Sequence, residues 1–393
     1  MPQPPSDRTR LIRSATRKPT EGRRPVNPPI ERASTLLNAR AASLRDPSLG
    51  PVYGIDGMTV QRELRALLAE MEGGADAWLT PTGLAAVTIP VLALTRPGDT
   101  VLATDAVYGP TRRFLDRHMV ARGVSIRYHP ADAPADRIIA AMDGVRLLVM
   151  ESPASLTFEM VDVAAVTAAA RDKGVLTVMD NTWAAGLAFR PLAHGVDVSV
   201  QAISKYAAGH SDLLMGAIAV ADAQVGRAIF NTIEDLGWHT APDEAWLALR
   251  GLRTLPLRMA EHARSALQVA EWLQSRHEVA RVLYPPLPGS VGHDLWARDY
   301  AGAAGLMGVV LRGGTEAEAE AVLDALTLFG LGYSWGGFES LATHETGQMA
   351  LRRHPATLEG PLVRLHIGLE DPADLIADLD QALATWGVRS SPA

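Results

Sequence analysis

Of the 37 basic residues only three are lysines, Lys18, Lys173 and Lys205. A chain that uses arginine for its surface cations makes each lysine worth a separate explanation. Only the amine loses its proton readily enough to attack a carbonyl carbon. Lys18 sits in a polar, basic N-terminal stretch. Lys173, in Arg171-Asp172-Lys173-Gly174, reads as a helix C-terminus, where a cation favours the dipole. Lys205 follows Asp197-Val-Ser-Val-Gln-Ala-Ile-Ser204, a strand pattern, and precedes Tyr206-Ala-Ala-Gly209-His-Ser-Asp212. Open α/β sheets bind ligands at the carboxyl ends of their strands. An apolar setting there pushes an amine's pKa down, as a Schiff-base lysine requires. A lone lysine at a strand end is more often a snorkelling cation; the scarcity of lysine and the residues that follow Lys205 pull the other way.

Asp180 is the second candidate. The apolar run Val175-Leu-Thr-Val-Met179 ends in Asp180-Asn181-Thr182, which is also good turn chemistry. With Lys205 one strand unit away, a carboxylate there can keep a pyridine nitrogen protonated while the lysine holds a carbonyl carbon as an imine. Those are two of the contacts pyridoxal phosphate needs. A third is a phosphate cradle. Thr80-Pro81-Thr82-Gly83-Leu84-Ala85 follows a strand and opens a helix, whose first N–H groups bind anions, although Thr82 alone reads equally as an N-cap. Ser204 can add a hydroxyl to the same phosphate, and Tyr108, after the strand 100–104, can stack on a flat ring.

The elements that must position these groups form an α/β pattern. Leu64, Leu67, Leu68 and Met71 recur at helical spacing before Gly73-Gly74. Short apolar runs at 76–80, 100–104, 145–150, 175–179 and 198–203 alternate with helical patterns at 83–95, 111–121 and 162–173. Strands buried on both faces and alternating with helices predict a mostly parallel central sheet. The stretch 242–278 reads as helical. Strands near 305–312 and 362–368 with helices near 315–326 and 371–386 predict a smaller C-terminal α/β domain. The expected division is an N-terminal arm over 1–58, a large domain over 59–253 and a C-terminal domain over 254–393.

Composition narrows the function classes. The 393 residues carry a net charge of -7, which offers no electrostatic footprint for nucleic acid. There is no cysteine, so disulfides, thiolate metal sites and cysteine nucleophiles are excluded. No His-x-x-x-His pair with an intervening Glu supports a zinc protease, and no metal is expected. Gly330-Leu-Gly332 lacks the third glycine of a dinucleotide fingerprint and lies late in the chain. No apolar run is long enough to span a membrane. The first 24 residues hold seven Lys/Arg, two acids and four prolines, with no signal-peptide core. They are expected to be a mobile basic arm on a cytoplasmic protein.

Asp180-Asn-Thr-Trp183-Ala-Ala-Gly186, Ser204-Lys-Tyr206 with Gly209-His-Ser-Asp212, Tyr333-Ser-Trp-Gly-Gly-Phe-Glu-Ser340 and Val363-Arg-Leu-His-Ile-Gly-Leu-Glu-Asp371 together resemble the Cys/Met-metabolism family of pyridoxal-phosphate enzymes. The resemblance runs from about Tyr53 to the C-terminus. It implies the fold-type I architecture of that family and a homotetramer built from tight dimers. Lys205 would carry the cofactor, Asp180 would pair with its ring nitrogen, and Tyr108 would stack on the ring. Gly83, Leu84 and Ser204 would hold its phosphate. Arg364 would clamp the substrate α-carboxylate, a task suited to guanidinium geometry. Ser155, Ser334 and Trp335 would also face the substrate, and Tyr53 would reach the neighbouring subunit's site. Trp183-Ala-Ala and Tyr333-Ser-Trp335 resemble the branch that breaks Cβ–S bonds, with L-cystathionine the expected substrate. Another cysteine S-conjugate, or γ-elimination, is the alternative. One departure stands out. The family's Tyr-x-Arg segment is Tyr53-Gly54-Ile55 here, so a charge-assisted hydrogen bond to phosphate, worth roughly 1.5–3 kcal/mol where it exists, is missing. Arg62 and Arg65 are the candidates to replace it, and weaker cofactor binding is expected.

Overall fold

The computed structural model describes residues 6–14, 16 and 21–387. Its strands are short runs of β-branched and apolar residues, most of them buried on both faces. Seven of them, β1 (Asp76–Thr80), β2 (Thr100–Thr104), β3 (Ser125–His129), β4 (Leu147–Glu151), β5 (Leu176–Asp180), β6 (Val198–Ala202) and β7 (Gly216–Val220), form one sheet in the order β1-β7-β6-β5-β4-β2-β3. The pairings among β2 to β6 are parallel. Only β7 runs against its neighbours, pairing antiparallel with both β6 and β1. A five-stranded sheet follows, with β8 (Val279–Leu283), β9 (Leu306–Leu311), β10 (Gly330–Leu331), β11 (Leu341–His344) and β12 (Leu362–His366) in the order β10-β11-β12-β9-β8. It is antiparallel apart from the β10–β11 pair.

The helices are α1 (Asp7–Arg13), α2 (Thr59–Glu72), α3 (Gly83–Leu94), α4 (Gly109–Phe114), α5 (Ala135–Ala140), α6 (Val163–Asp172), α7 (Ala223–Leu236), α8 (Pro242–Leu252), α9 (Leu255–Gln274), α10 (His293–Asp299), α11 (Glu316–Asp324), α12 (Thr346–Met349) and α13 (Pro372–Leu383). Leu64, Leu67, Leu68 and Met71 all face the core from α2, which stops at Gly73 in the left-handed conformation. Lys173 caps α6 and pairs with Asp143 at 2.6 Å, as a helix C-terminal cation should.

Several expectations need correction. The basic arm is not wholly mobile: residues 7–13 form a helix, Leu11 is buried in the main core, and Arg10 pairs with Glu70 at 3.2 Å. One apolar side chain, Leu11, is buried and seats a segment that reads as basic. Lys18 lies outside the described residues. The helix expected over 111–121 starts at Gly109 and passes into a π-helical turn over Leu115–Met119. The second sheet has three strands, β8, β10 and β11, beyond the two expected. The boundary expected at 253/254 falls in the break between α8 and α9.

The parallel strands β4, β5 and β6 end at Glu151, Asp180 and Ala202 on one edge of the first sheet. That edge faces the loop over 333–339 and Arg364 of β12 across a cleft of about 1080 Å³. Among the described residues no helix is long and apolar enough to cross a membrane.

Candidate active site

Glu151 and Asp180 are register partners at the ends of two adjacent parallel strands, so their side chains leave the same face of the sheet. Asp180 Oδ1 accepts from the Thr182 N–H (3.0 Å) and hydroxyl (2.5 Å), the turn chemistry its sequence suggested. Both bonds fall on one oxygen, which leaves Oδ2 to the cleft. Thr182 Oγ1 also accepts from Ala202 N at 2.9 Å and so ties the end of β5 to the end of β6, three residues before the lysine.

Lys205 lies just beyond β6, its N–H donating to Ala202 O at 3.1 Å. Its ammonium donates to Ser334 Oγ at 2.5 Å and lies 5.3 Å from the Trp335 ring centroid. Burial first, then the charge of Arg364, push its pKa down to about 8, while Asp180 opposes the shift. Burial pushes Asp180 up, against the hydrogen bonds from Thr182 and the charge of Lys205. The loop carrying Ser334 is strained: Ser334 has φ +87, a left-handed value uncommon for a side-chain-bearing residue. Gly336 makes the close approach possible, because a Cβ there would lie 2.7 Å from Tyr206 N. The Gly336 N–H donates to His366 Nε2 at 3.0 Å, which pins the loop to β12.

Tyr108 caps α4, and its N–H donates to Glu151 Oε2 at 2.9 Å. Burial, then Asp180 and Glu151, hold its phenol above the ordinary range, so it stays protonated near neutral pH. Ser155 Oγ donates to Glu151 Oε1. Its proton is therefore committed, and it offers lone pairs to the cleft unless Glu151 itself carries a proton. Burial and the neighbouring Asp180 charge push Glu151 in that direction.

The start of α3 faces the same cleft. Thr82 Oγ1 accepts from Ala85 N at 3.1 Å and Thr82 O from Ala86 N at 3.2 Å. The Gly83 and Leu84 N–H groups are left without an intrahelical acceptor. Gly83 is needed for contact with β6, since a Cβ there would lie 2.4 Å from the Ala202 Cβ. Ser204 also lines the cleft, but its hydroxyl already donates to Met215 O (3.2 Å) and accepts from Met215 N (2.9 Å). A phosphate contact requires that hydroxyl to turn.

The cleft thus brings together Lys205, Asp180, Tyr108, Gly83, Leu84, Ser204, Ser155, Ser334, Trp335 and Arg364 from both sheets. Tyr53 is not among its lining residues; it bridges to Thr35 on the surface and is about half exposed. Ile55 is exposed in the turn after it, which Asp56 fixes by accepting from Val52 N and Tyr53 N. Arg65 is committed elsewhere, to Ala77 O at 2.7 Å and to Asp76, while Arg62 is exposed. Sequence reasoning gave no role to Glu151 or Glu345. The signal for Glu151 was present: Leu147-Leu-Val-Met-Glu151 ends in an acid as Leu176-Thr-Val-Met-Asp180 does. Glu345 carried no local signal, because its partner Arg364 is brought to it only by strand pairing. Among the described residues no group of three or more His, Asp or Glu could hold a metal ion.

Three observations fit pyridoxal phosphate. A lysine with a depressed pKa and a carboxylate with a free oxygen share the floor of the cleft, and unpaired helix N–H groups lie beside them. Fold and site together define a fold-type I pyridoxal-phosphate enzyme. The family model for "Cys/Met metabolism PLP-dependent enzyme" matches residues 8–384, and the chain belongs to that family. It is 44% identical to a "Putative cystathionine beta-lyase" of Rhizobium johnstonii, with 91% of each chain covered. It is 42% identical to a "Cystathionine beta-lyase" of Bordetella avium, covering 94% of this chain and 95% of that one. A crystal structure of cystathionine gamma synthase from Xanthomonas oryzae pv. oryzae in complex with aminoacrylate and cysteine superposes with a TM-score of 0.89. There the identity is 30%, over 98% of this chain and 99% of that one.

Proposed function

We propose that this chain is a carbon–sulfur lyase that cleaves L-cystathionine by β-elimination to homocysteine, pyruvate and ammonia. The observation that carries this reading is identity of 42–44% over more than nine-tenths of the chain to proteins named cystathionine β-lyase. Pyridoxal phosphate, when bound, supplies the electron sink that makes the substrate Cα–H acidic and lets the Cβ–S bond break. Lys205 would anchor it, and Asp180 would pair with its ring nitrogen. The Gly83 and Leu84 N–H groups and, once turned, the Ser204 hydroxyl would hold its phosphate. Tyr108 would stack on its ring.

The residues of the chain then do four things. Arg364 receives the substrate α-carboxylate in a fork. The Lys205 amine, partly neutral near pH 8, takes the Cα proton. Ser334 and Trp335 hold that amine in place and exclude water from one side. Tyr108, a neutral phenol, or Lys205 gives a proton to the departing sulfur. Of the N-terminal segment, residues 7–13 pack on this chain's own core, and the stretch 37–55 is proposed to dock on a neighbouring subunit and deliver Tyr53 there, in a homotetramer. The exposed apolar side chains of Leu37, Leu49, Val52, Tyr53 and Ile55 support that assignment. The division into 59–253 and 254–393 rests on each unit holding one complete sheet.

The test is product identity. The cofactor-loaded protein is incubated with L-cystathionine and the keto acids are separated. Pyruvate with homocysteine is expected. 2-Oxobutyrate with cysteine would move the chain to γ-elimination, the chemistry that the likeness to a γ-synthase structure favours. Neither product would point to another S-conjugate.

A further inference from the structure

Arg364 has a buried acidic partner, Glu345, that takes no part in the chemistry proposed for the site. Glu345 follows β11 and caps α12, and its side chain is wholly removed from solvent. Arg364 Nη1 lies 3.4 Å from Glu345 Oε1, and its own side chain is about nine-tenths buried. The carboxylate is not loosely held. Thr343 Oγ1 donates to Oε1 at 2.7 Å, and Gln348 Nε2 donates to Oε2. Glu345 N donates to Leu362 O at 2.8 Å, which fixes the backbone of the acid to the strand that carries the arginine. Thr343 is the cross-strand neighbour of Arg364. Gln348 reaches over the cleft towards the start of α4, so that a Cβ on Gly109 would lie 3.2 Å from its Oε1. Arg364 and Gln348 both line the cleft; Glu345 stands behind them.

A guanidinium presents five N–H groups in a rigid fork. An acid on one edge that is itself immobilised leaves the other edge to an incoming carboxylate in one orientation. Side-chain entropy is then lost on folding rather than on substrate binding. We propose that Glu345, held by Thr343 and Gln348, is the positioning residue that orients Arg364 to receive the substrate's α-carboxylate. This rests on the assignment of Arg364 above.

The experiment uses the holoenzyme with Glu345→Ala, Glu345→Gln, Thr343→Val and, as control, Arg364→Ala. It reads KM and kcat for L-cystathionine. It also reads, from the cofactor's absorbance, the Kd of L-alanine and of isopropylamine, in which a methyl group replaces the carboxylate. In Glu345→Ala, KM and the L-alanine Kd should each rise about tenfold while kcat changes by less than about threefold. The isopropylamine Kd should not move. Glu345→Gln keeps an oxygen for Arg364 and should recover most of the loss. Thr343→Val should raise KM by about threefold, and this keeps the test open if Glu345→Ala does not fold. An unchanged KM in Glu345→Ala, or an equal loss for both amines, overturns the proposal. If Arg364→Ala leaves L-alanine binding unaltered, the assignment of Arg364 itself has failed, and that failure is read independently of the Glu345 variants.

Discussion

Two buried carboxylates stand on opposite faces of the same strand end. Asp180 turns to the cleft; the next residue, Asn181, turns the other way and donates towards Glu72 of α2. Glu72 sits in closed core and takes hydrogen bonds from three side chains: Gln201 Nε2, Ser199 Oγ at 3.0 Å and Asn181 Nδ2 at 3.4 Å. Asp180 takes its bonds from one residue, Thr182, and on one oxygen. Burial pushes both acids upward, Glu72 to about 7. The difference is in what remains unsatisfied. Glu72 is saturated by its own chain, as a structural buried acid must be. Asp180 keeps an acceptor pointed at open space, beside a lysine whose amine is partly neutral. Burial and a shifted pKa do not by themselves mark a functional group; an open valence in a cleft does.

Substitutions distinguish the two acids and their surroundings. The largest effect is expected from Lys205→Ala, which should lower turnover by at least about a thousandfold and remove the cofactor's absorbance band. Substantial activity in that variant sinks the site. Next, Asp180→Asn should lower kcat by about a hundredfold or more, whereas Glu72→Gln should change kcat by less than about threefold; similar losses in both would erase the distinction between the two faces. Third, apoenzyme should capture pyridoxal phosphate about tenfold faster per pH unit up to about pH 8 and level off above it, as the Lys205 amine loses its proton. A flat stopped-flow profile over that range contradicts the assignment.

Two smaller effects are expected at Ile55 and Glu72. Ile55→Arg should tighten cofactor binding about tenfold in a titration of apoenzyme, by restoring a charged donor to the phosphate; tight retention of cofactor through dialysis by the unaltered chain would count against that. The smallest effect is in stability. Glu72 holds its proton in the folded state up to about 7 but releases it near 4.5 when unfolded. Its contribution is therefore greatest below about pH 4.5 and is lost as pH rises through about 7. Melting temperatures of the unaltered chain should fall across that window relative to those of Glu72→Gln.

The legible part of the site came from local pattern. Asp180 closes a short apolar strand, Lys205 follows another by three residues and Gly83 opens a helix after a third, so their positions at the sheet edge follow from the rule for open α/β sheets. Arg364 and the Ser334-Trp335 pair were legible through resemblance to a family rather than through spacing. Features made by distant segments were not legible. β7 reverses direction although Gly216-Ala-Ile-Ala-Val220 looks like any buried parallel strand. Glu345 meets Arg364 only because β11 pairs with β12. The commitment of the Ser204 hydroxyl to Met215 depends on the turn between β6 and β7 closing on itself. Leu11 shows the converse, a single apolar residue outweighing the basic composition around it.

The bond to the cofactor proposed for Lys205 is easy to test in a chain with only three lysines. Holoenzyme is reduced with borohydride to fix the cofactor covalently, digested, and mapped by mass spectrometry. The added mass should lie on the peptide containing Lys205. Its appearance on Lys173 or Lys18 with Lys205 unmodified would overturn the assignment of Lys205.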